Sequence, residues 1–331
     1  MKKLLFGHKI GSGAYGVVMM AQAKDIMVHE PFTTVAVKKM KSRDPERLEA
    51  MLSEIKIIIQ IGQHINIVNF LGAVTENIQN NELMIIFEYC RYGCVHSFMR
   101  NNKSSFIDCM NDLPMAWNPT TIDRNLNEEE SNGGKRTSYR TTDLIYWATQ
   151  IAGGMGYLSS KNVFHGDLAA RNVLLCENNV VKIADFGLTR EFNRVTHYKK
   201  TRNDSMPFKW MALESIFEHI FSIKTDVWSY GVLLWELFTL GSPPYPTFAV
   251  NDEFFNKLRD GYRLERPQYA CEDIYYMMLS CWCVNPERRP TFAEAEGFFN
   301  LMLPPELQNH YIVSNEQYME RNRRPAGVIV A

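Results

Sequence analysis

The stretch HGDLAARN, residues 165–172, decides how this chain is read. It sets an acid, a basic residue and an amide at fixed offsets: Asp167, Arg171 and Asn172. An aspartate so placed suits the acceptance of a proton from a hydroxyl nucleophile, and a nearby asparagine oxygen suits a hard metal ion. Further on, DFG supplies a second metal-binding residue, the acid Asp185. Phe186 is expected to turn into the interior, and Gly187 lets the backbone change direction.

Toward the N-terminus, GSGAYG places Gly11, Gly13 and Gly16 in a G-x-G-x-x-G pattern with Ser12 inside it. Glycines let backbone N–H groups approach phosphate oxygens closely. Dinucleotide-binding folds use the same spacing, but there a helix opens directly after the loop. Here VVMMA follows, a β-branched start suited to a strand, so the loop reads as a hairpin lid over phosphates. Lys38, in VAVK, sits on a strand beneath that lid and can neutralise nucleotide phosphates, with Glu54 on the following helix to hold it.

The surrounding pattern is a small β-rich region followed by a larger helical one. Residues 5–40 alternate as paired strands, PERLEAMLSEIKIIIQ (45–60) has helical spacing after Pro45, and HINIVNFLGAV and ELMIIFEYC read as two more strands. Residues 104–140 are polar and aperiodic, an insertion too long for an ordinary connection. Helical periodicity returns from Thr141 onward, and the polar tail after residue 304 is expected to fray.

Composition excludes several classes. The 331 residues carry 36 basic and 37 acidic side chains, so nothing points to nucleic acid or a polybasic membrane anchor. The longest apolar run, Val227 to Leu240, is broken by Ser229 and Glu236 and is shorter than the about 20 residues a bilayer needs. No signal peptide opens the chain, which reads as soluble and intracellular. Seven cysteines without paired spacing read as reduced, mostly structural thiols.

Together the glycine loop, VAVK, Glu54, HGDLAARN, DFG and ALE resemble the eukaryotic protein kinase family over nearly the whole chain. The resemblance implies an α+β bilobal fold: an N-lobe over about 1–89, a hinge at 88–93, a helical C-lobe to 303, a kinase insert at 104–140 and a flexible tail over 304–331. DLAARN and MPFKWMALES, with Pro207, Lys209 and Trp210, are similar to the tyrosine kinase versions of these motifs. EYCRYG (88–93) with the insertion resembles receptor tyrosine kinases of the platelet-derived growth factor receptor class, and HYKKTRND (197–204) the fibroblast growth factor receptors. That places the chain in the PDGF/VEGF/FGF receptor branch, as an excised kinase domain or a truncated product, with its place on the cytoplasmic side of the plasma membrane if it is part of a single-pass receptor.

The same resemblance implies cofactors, partners and residue roles. ATP with Mg²⁺, or Mn²⁺ as an alternative, is the expected cofactor. The expected substrates are proteins bearing tyrosine, with self-association and trans-autophosphorylation. Val18, Ala36 and Leu174 should enclose the adenine, with the Glu88 carbonyl and Cys90 backbone at the hinge and Phe87 as gatekeeper. Ile58, Phe70, His165 and Phe186 match a stacked hydrophobic spine, and Glu214 with Arg289 a buried ion pair. Tyr198 is the expected autophosphorylation site, and Tyr139, Tyr311 and Tyr318 are candidate docking sites for SH2 or PTB adaptors. Three departures stand out: Leu213 replaces the proline of APE, Cys94 and Val95 replace an Asp/Asn-Leu pair, and Gly166 replaces the arginine that would meet an activation-loop phosphate. The last implies a weaker Tyr198 switch. The rival reading is a pseudokinase scaffold without significant catalysis, and a dinucleotide-binding oxidoreductase is a distant third.

Overall fold

Strands β1 (Leu4–Ser12), β2 (Gly16–Met27), β3 (Glu30–Met40), β4 (Phe70–Val74) and β5 (Met84–Glu88) form one antiparallel sheet in the order β1-β2-β3-β5-β4. The computed structural model describes residues 4–12, 16–27, 30–110, 138–191 and 206–322. Alternation along the strands divides the apolar side chains between two clusters. Val35, Val37, Met84 and Ile86 join Ala21 and Ala23 in one, while Ala36, Ile85 and Phe87 join the main core in the other.

Helix α1 (Pro45–Ile61) follows β3. Asp44 caps it by accepting from the Glu46 N–H at 3.0 Å, and Pro45 occupies the first turn, where its missing N–H costs nothing. Gly62, at φ 77°, ends it. The buried face carries Met51, Glu54, Ile57, Ile58 and Ile61, so the one acid on it needs a partner.

The helical lobe comprises α2 (Val95–Asn101), α3 (Thr141–Ser160), α4 (Leu213–Phe217), α5 (Ile223–Phe238), α6 (Asp252–Arg259), α7 (Glu272–Cys281), α8 (Phe292–Leu301) and α9 (Pro305–Asn322). Short strand pairs decorate it: β6 (Phe106–Ile107) with β7 (Tyr139–Arg140), β8 (Val163–Phe164) with β11 (Arg190–Glu191), and β9 (Val173–Leu175) with β10 (Val181–Ile183). Helix α5 is buried on nearly every side, as its apolar run requires, and Trp228, Leu233 and Phe238 each contribute roughly 1.5–3 kcal/mol by leaving water. Among the described residues no helix is long and apolar enough to cross a membrane. The fold is α+β and bilobal.

Four expectations change. The strand expected over residues 64–74 begins only at Phe70. The segment before it is apolar because it wedges between the lobes, where Ile67 bridges Ile183 and Val68 N–H donates to the Ile183 carbonyl at 2.9 Å. Tyr139, expected as a docking tyrosine in the insertion, lies in β7 with no exposed surface, its hydroxyl donating to the Met99 carbonyl at 3.2 Å. Residues 111–137, most of the expected insertion, lie outside the described residues.

The tail does not fray through residue 322. It forms α9, and Leu307, Tyr311, Ser314 and Tyr318 lie at helical spacing on its inner side. The Tyr311 hydroxyl donates to Asn66 Oδ1 at 2.6 Å, and the Tyr318 ring lies under the Lys182 ammonium at 4.4 Å. Tyr311 and Tyr318, the candidate docking tyrosines of the tail, are thus partly buried and held against the body of the protein.

Candidate active site

A cleft of about 1060 Å³ opens between the sheet and the helical lobe. Gly11, Ser12, Gly16, Val18, Ala36, Glu88, Cys90 and Leu174 all line it, as do Lys38, Glu54, Phe87, Asp167, Arg171, Asn172 and Asp185. Gly13 and Tyr198 lie outside the described residues. The glycines are not equivalent. A Cβ on Gly16 would stand 2.5 Å from the Lys39 carbonyl, so β2 and β3 require its absence, whereas one on Gly11 would meet only Val18 at an ordinary 3.7 Å.

At the back of the cleft, Lys38 Nζ reaches both Glu54 oxygens at 2.8 Å and Asp185 Oδ1 at 3.4 Å. This gives the buried acid of α1 its partner. Burial alone would pull the Lys38 ammonium down, but Glu54 and Asp185 outweigh it and hold it above its ordinary value. Asp185 is itself 46% exposed and sits at φ 64°, a left-handed conformation that side chains other than glycine rarely adopt. The turn after it sends Phe186 inward, 1% exposed, with its ring centroid 5.3 Å from His165. Phe70 and Phe87 meet edge to face at 6.4 Å.

Opposite, Asn172 Nδ2 donates to the Asp167 carbonyl at 2.7 Å and to its Oδ2 at 2.8 Å, while Arg171 binds Oδ1. Burial pushes the Asp167 carboxyl above the usual carboxylate range, against the pull of Arg171, His165 and Asn172. The Arg171 guanidinium also stacks on Trp210 at 4.3 Å. At the hinge, the Glu88 side chain turns away from the cleft, accepting from the Asn69 N–H at 2.6 Å and pairing with Lys182 at 3.0 Å.

Two acids on α5, which sequence reasoning missed, fix this loop. Asp226 accepts from the His165 N–H at 2.6 Å and the Gly166 N–H at 2.9 Å. Glu236 Oε2 accepts from the Ala170 N–H and from Trp210 Nε1, both at 2.9 Å. Burial pushes Asp226 up to about 6 and Glu236 up to about 7. Ser229 adds a bond to the Trp210 carbonyl at 2.8 Å. For Glu236 a signal was present: it and Ser229 are polar breaks in the apolar run, and both turn out to hold Trp210. Gly166 has its own local logic, for its φ of 79° is a conformation that favours glycine. Away from the cleft, Arg289 and Glu214 form a bidentate pair at 2.6 and 2.9 Å.

Comparison with known proteins agrees with this geometry. The family model described as protein tyrosine and serine/threonine kinase matches residues 4–299. The chain is 39% identical over 328 residues to vascular endothelial growth factor receptor 1 of Homo sapiens, covering 88% of this chain and 24% of that protein. It is 40% identical over 308 residues to vascular endothelial growth factor receptor 3 of Danio rerio (88% and 22%). It is 34% identical over 384 residues to platelet-derived growth factor receptor alpha of Takifugu rubripes (96% and 36%). The chain thus spans between about a fifth and somewhat over a third of the length of these relatives. With the lysine–glutamate pair, the two cleft-facing acids and the α5-anchored loop all in place, the chain belongs to the protein tyrosine and serine/threonine kinase family.

Proposed function

We propose that this chain is the catalytic part of a receptor-type protein tyrosine kinase, transferring the γ-phosphate of ATP to tyrosine hydroxyls on the cytoplasmic side of a membrane. The observation that carries the reading is the convergence of Lys38, Glu54, Asp185, Asp167 and Asn172 on one cleft. In this reading Gly11 to Gly16 cover the phosphates, Lys38 clamps them, and Glu54 positions Lys38. Val18, Ala36 and Leu174 enclose the adenine, the backbone of Glu88 and Cys90 receives its edge, and Phe87 closes the rear of the pocket. The kinase domain runs over 1–303, with its N-lobe to about 89.

Asp185 and Asn172 offer hard oxygens, one from a half-exposed carboxylate and one from an amide whose Nδ2 is already committed to Asp167. That donor set fits Mg²⁺, or Mn²⁺, completed by phosphate oxygens. Such an ion supplies charge neutralisation at the phosphates. Asp167 accepts the proton of the incoming hydroxyl, and burial, which raises its proton affinity, favours that task. Trp210, pinned by Ser229 and Glu236 and stacked on Arg171, supports a phenol acceptor by giving the mouth of the cleft a rigid aromatic wall.

The deciding experiment incubates the purified chain with Mg²⁺-ATP and a tyrosine-containing polymer, beside an Asp167→Asn control. Phosphotyrosine above the control is expected. None above it would overturn the enzyme reading in favour of a scaffold. On regulation, Gly166 leaves no guanidinium at that position to meet a Tyr198 phosphate, so Tyr198→Phe is expected to lower activity only modestly. Abolished activity in that variant, with Gly166→Arg changing nothing, would refute the weakened switch.

A further inference from the structure

Cys90, in the hinge, and Cys176, just after β9, are 86 residues apart in sequence, yet their sulfurs stand 2.6 Å apart. The contact is built by the backbone: Tyr92 N–H donates to the Leu175 carbonyl at 3.2 Å, Leu175 N–H to the Gly93 carbonyl at 2.8 Å, and Cys176 N–H to the Val180 carbonyl at 2.8 Å. Both are free thiols. A disulfide needs its sulfurs at about 2.05 Å, so only a small further approach separates contact from bond.

The two thiols are not alike. Cys90 is 7% exposed, whereas Cys176 is half-buried and within reach of solvent. The contact with Cys176, together with burial, pushes the Cys90 thiol up. Lys182 lies close enough for its charge to interact with both sulfurs. The ammonium is fixed there by Glu88 at 3.0 Å and the Ile65 carbonyl at 2.7 Å.

We propose that Cys90 and Cys176 are a peroxide-responsive thiol pair that closes into a disulfide across the hinge. The Cys176 thiolate attacks hydrogen peroxide, breaking the O–O bond. One oxygen stays on sulfur as a sulfenic acid, and the other leaves as hydroxide and takes up the thiol proton as water. Cys90 sulfur then attacks Cys176 sulfur. The S–S bond forms, the S–O bond breaks, and the departing hydroxide carries off the Cys90 proton as a second water. Two thiols are oxidised by two electrons and one peroxide is reduced. The product ties the hinge covalently to β9 at a residue that lines the cleft. That tie bears on nucleotide exchange only if the proposed ATP site is correct, so the test reads the bond itself.

The full chain is treated with hydrogen peroxide, remaining thiols are alkylated, and intact mass and peptide maps are recorded. The expected result is a loss of two hydrogens and of two alkylation sites, a cross-linked peptide joining Cys90 to Cys176, and full reversal by dithiothreitol. A melting temperature about 5 °C or more higher is expected, because the bridge constrains a long loop of the unfolded chain. Cys176→Ser should lose the cross-link and the melting shift, while Cys109→Ser should retain both. If Cys176→Ser does not fold, the map of the unaltered chain decides alone. A bridge between other cysteines, separate sulfinic acids on both residues, or two thiols still open to alkylation would each overturn the proposal. None of these readouts depends on nucleotide binding or phosphotransfer.

Discussion

Two ion pairs of similar composition lie in different parts of this molecule. Arg289 and Glu214 form a closed system: the guanidinium has no exposed surface and finds acceptors at both Glu214 oxygens and at the carbonyls of Cys283, Lys224 and Val284. Lys38 and Glu54 form an open one. Their ammonium also leans toward Asp185, which is half-exposed and held in a left-handed conformation at the cleft. A pair that uses all its donors inside the protein stabilises the fold, whereas one that keeps a side turned to a cavity has capacity left for a ligand. Both cations are strongly buried, so burial alone does not separate structure from function.

The sharpest way to break this contrast is Arg289→Ala. It leaves a mostly buried carboxylate and three carbonyls without this donor, and is expected to cost roughly 3–5 kcal/mol in urea unfolding. The surviving folded fraction should bind nucleotide normally. Lys38→Met should invert the pattern. Phosphotransfer is expected to fall about 10²–10³-fold. Unfolding free energy should drop by only about 1 kcal/mol, because Glu54, already pushed up by burial, can take a proton. A severe stability loss in Lys38→Met would erase the distinction.

A third test concerns pH. Glu236 and Asp226 hold protons more tightly in the folded protein than in the unfolded chain. Their stabilising effect is complete below about pH 4, the ordinary carboxylate range, and is lost as pH rises toward 6 for Asp226 and 7 for Glu236. Stability should therefore carry a downward component across that window. Glu236→Gln should flatten it, because both bonds converge on one oxygen that the amide retains. An unchanged slope in urea midpoint against pH would contradict this. The smallest effect is expected for Gly166→Arg, about 1 kcal/mol lost, since a Cβ is strained at φ 79°. A neutral or stabilised variant would show that the bonds to Asp226 over-determine the backbone there.

Much of the site was legible because its residues belong to contiguous motifs: HGDLAARN, DFG and VAVK state their chemistry locally. Glu54 was legible from its place on a helix following the lysine strand. Asp226 was not, and Glu236 showed only as a polar break in an apolar run, since what marks their roles is which backbone N–H groups they meet, and those lie about 60 residues or more away. The fold shows the same division. Helices with strong apolar periodicity, α1, α3 and α5, were readable. The segment 64–69 was misread because burial between lobes and burial in a sheet produce the same apolar letters. Helix α9 was missed because its inner side uses tyrosines and a serine, which score as polar although Tyr311 bonds to Asn66 and Tyr318 lies beneath Lys182.

Helix α9 also has a consequence for how the chain acquires its shape. Tyr311 meets Asn66 across 245 residues, and the Asn322 side chain meets Asn69 across 253. The segment joining α1 to β4 therefore waits for nearly the last described residues before its contacts are complete. Closing such distant contacts is slow, and during synthesis it comes only after the whole stretch between them has emerged. Until then the rear of the interlobe wedge stands uncovered. Between translation of Asn69 and of Asn322, that surface has no cover from α9.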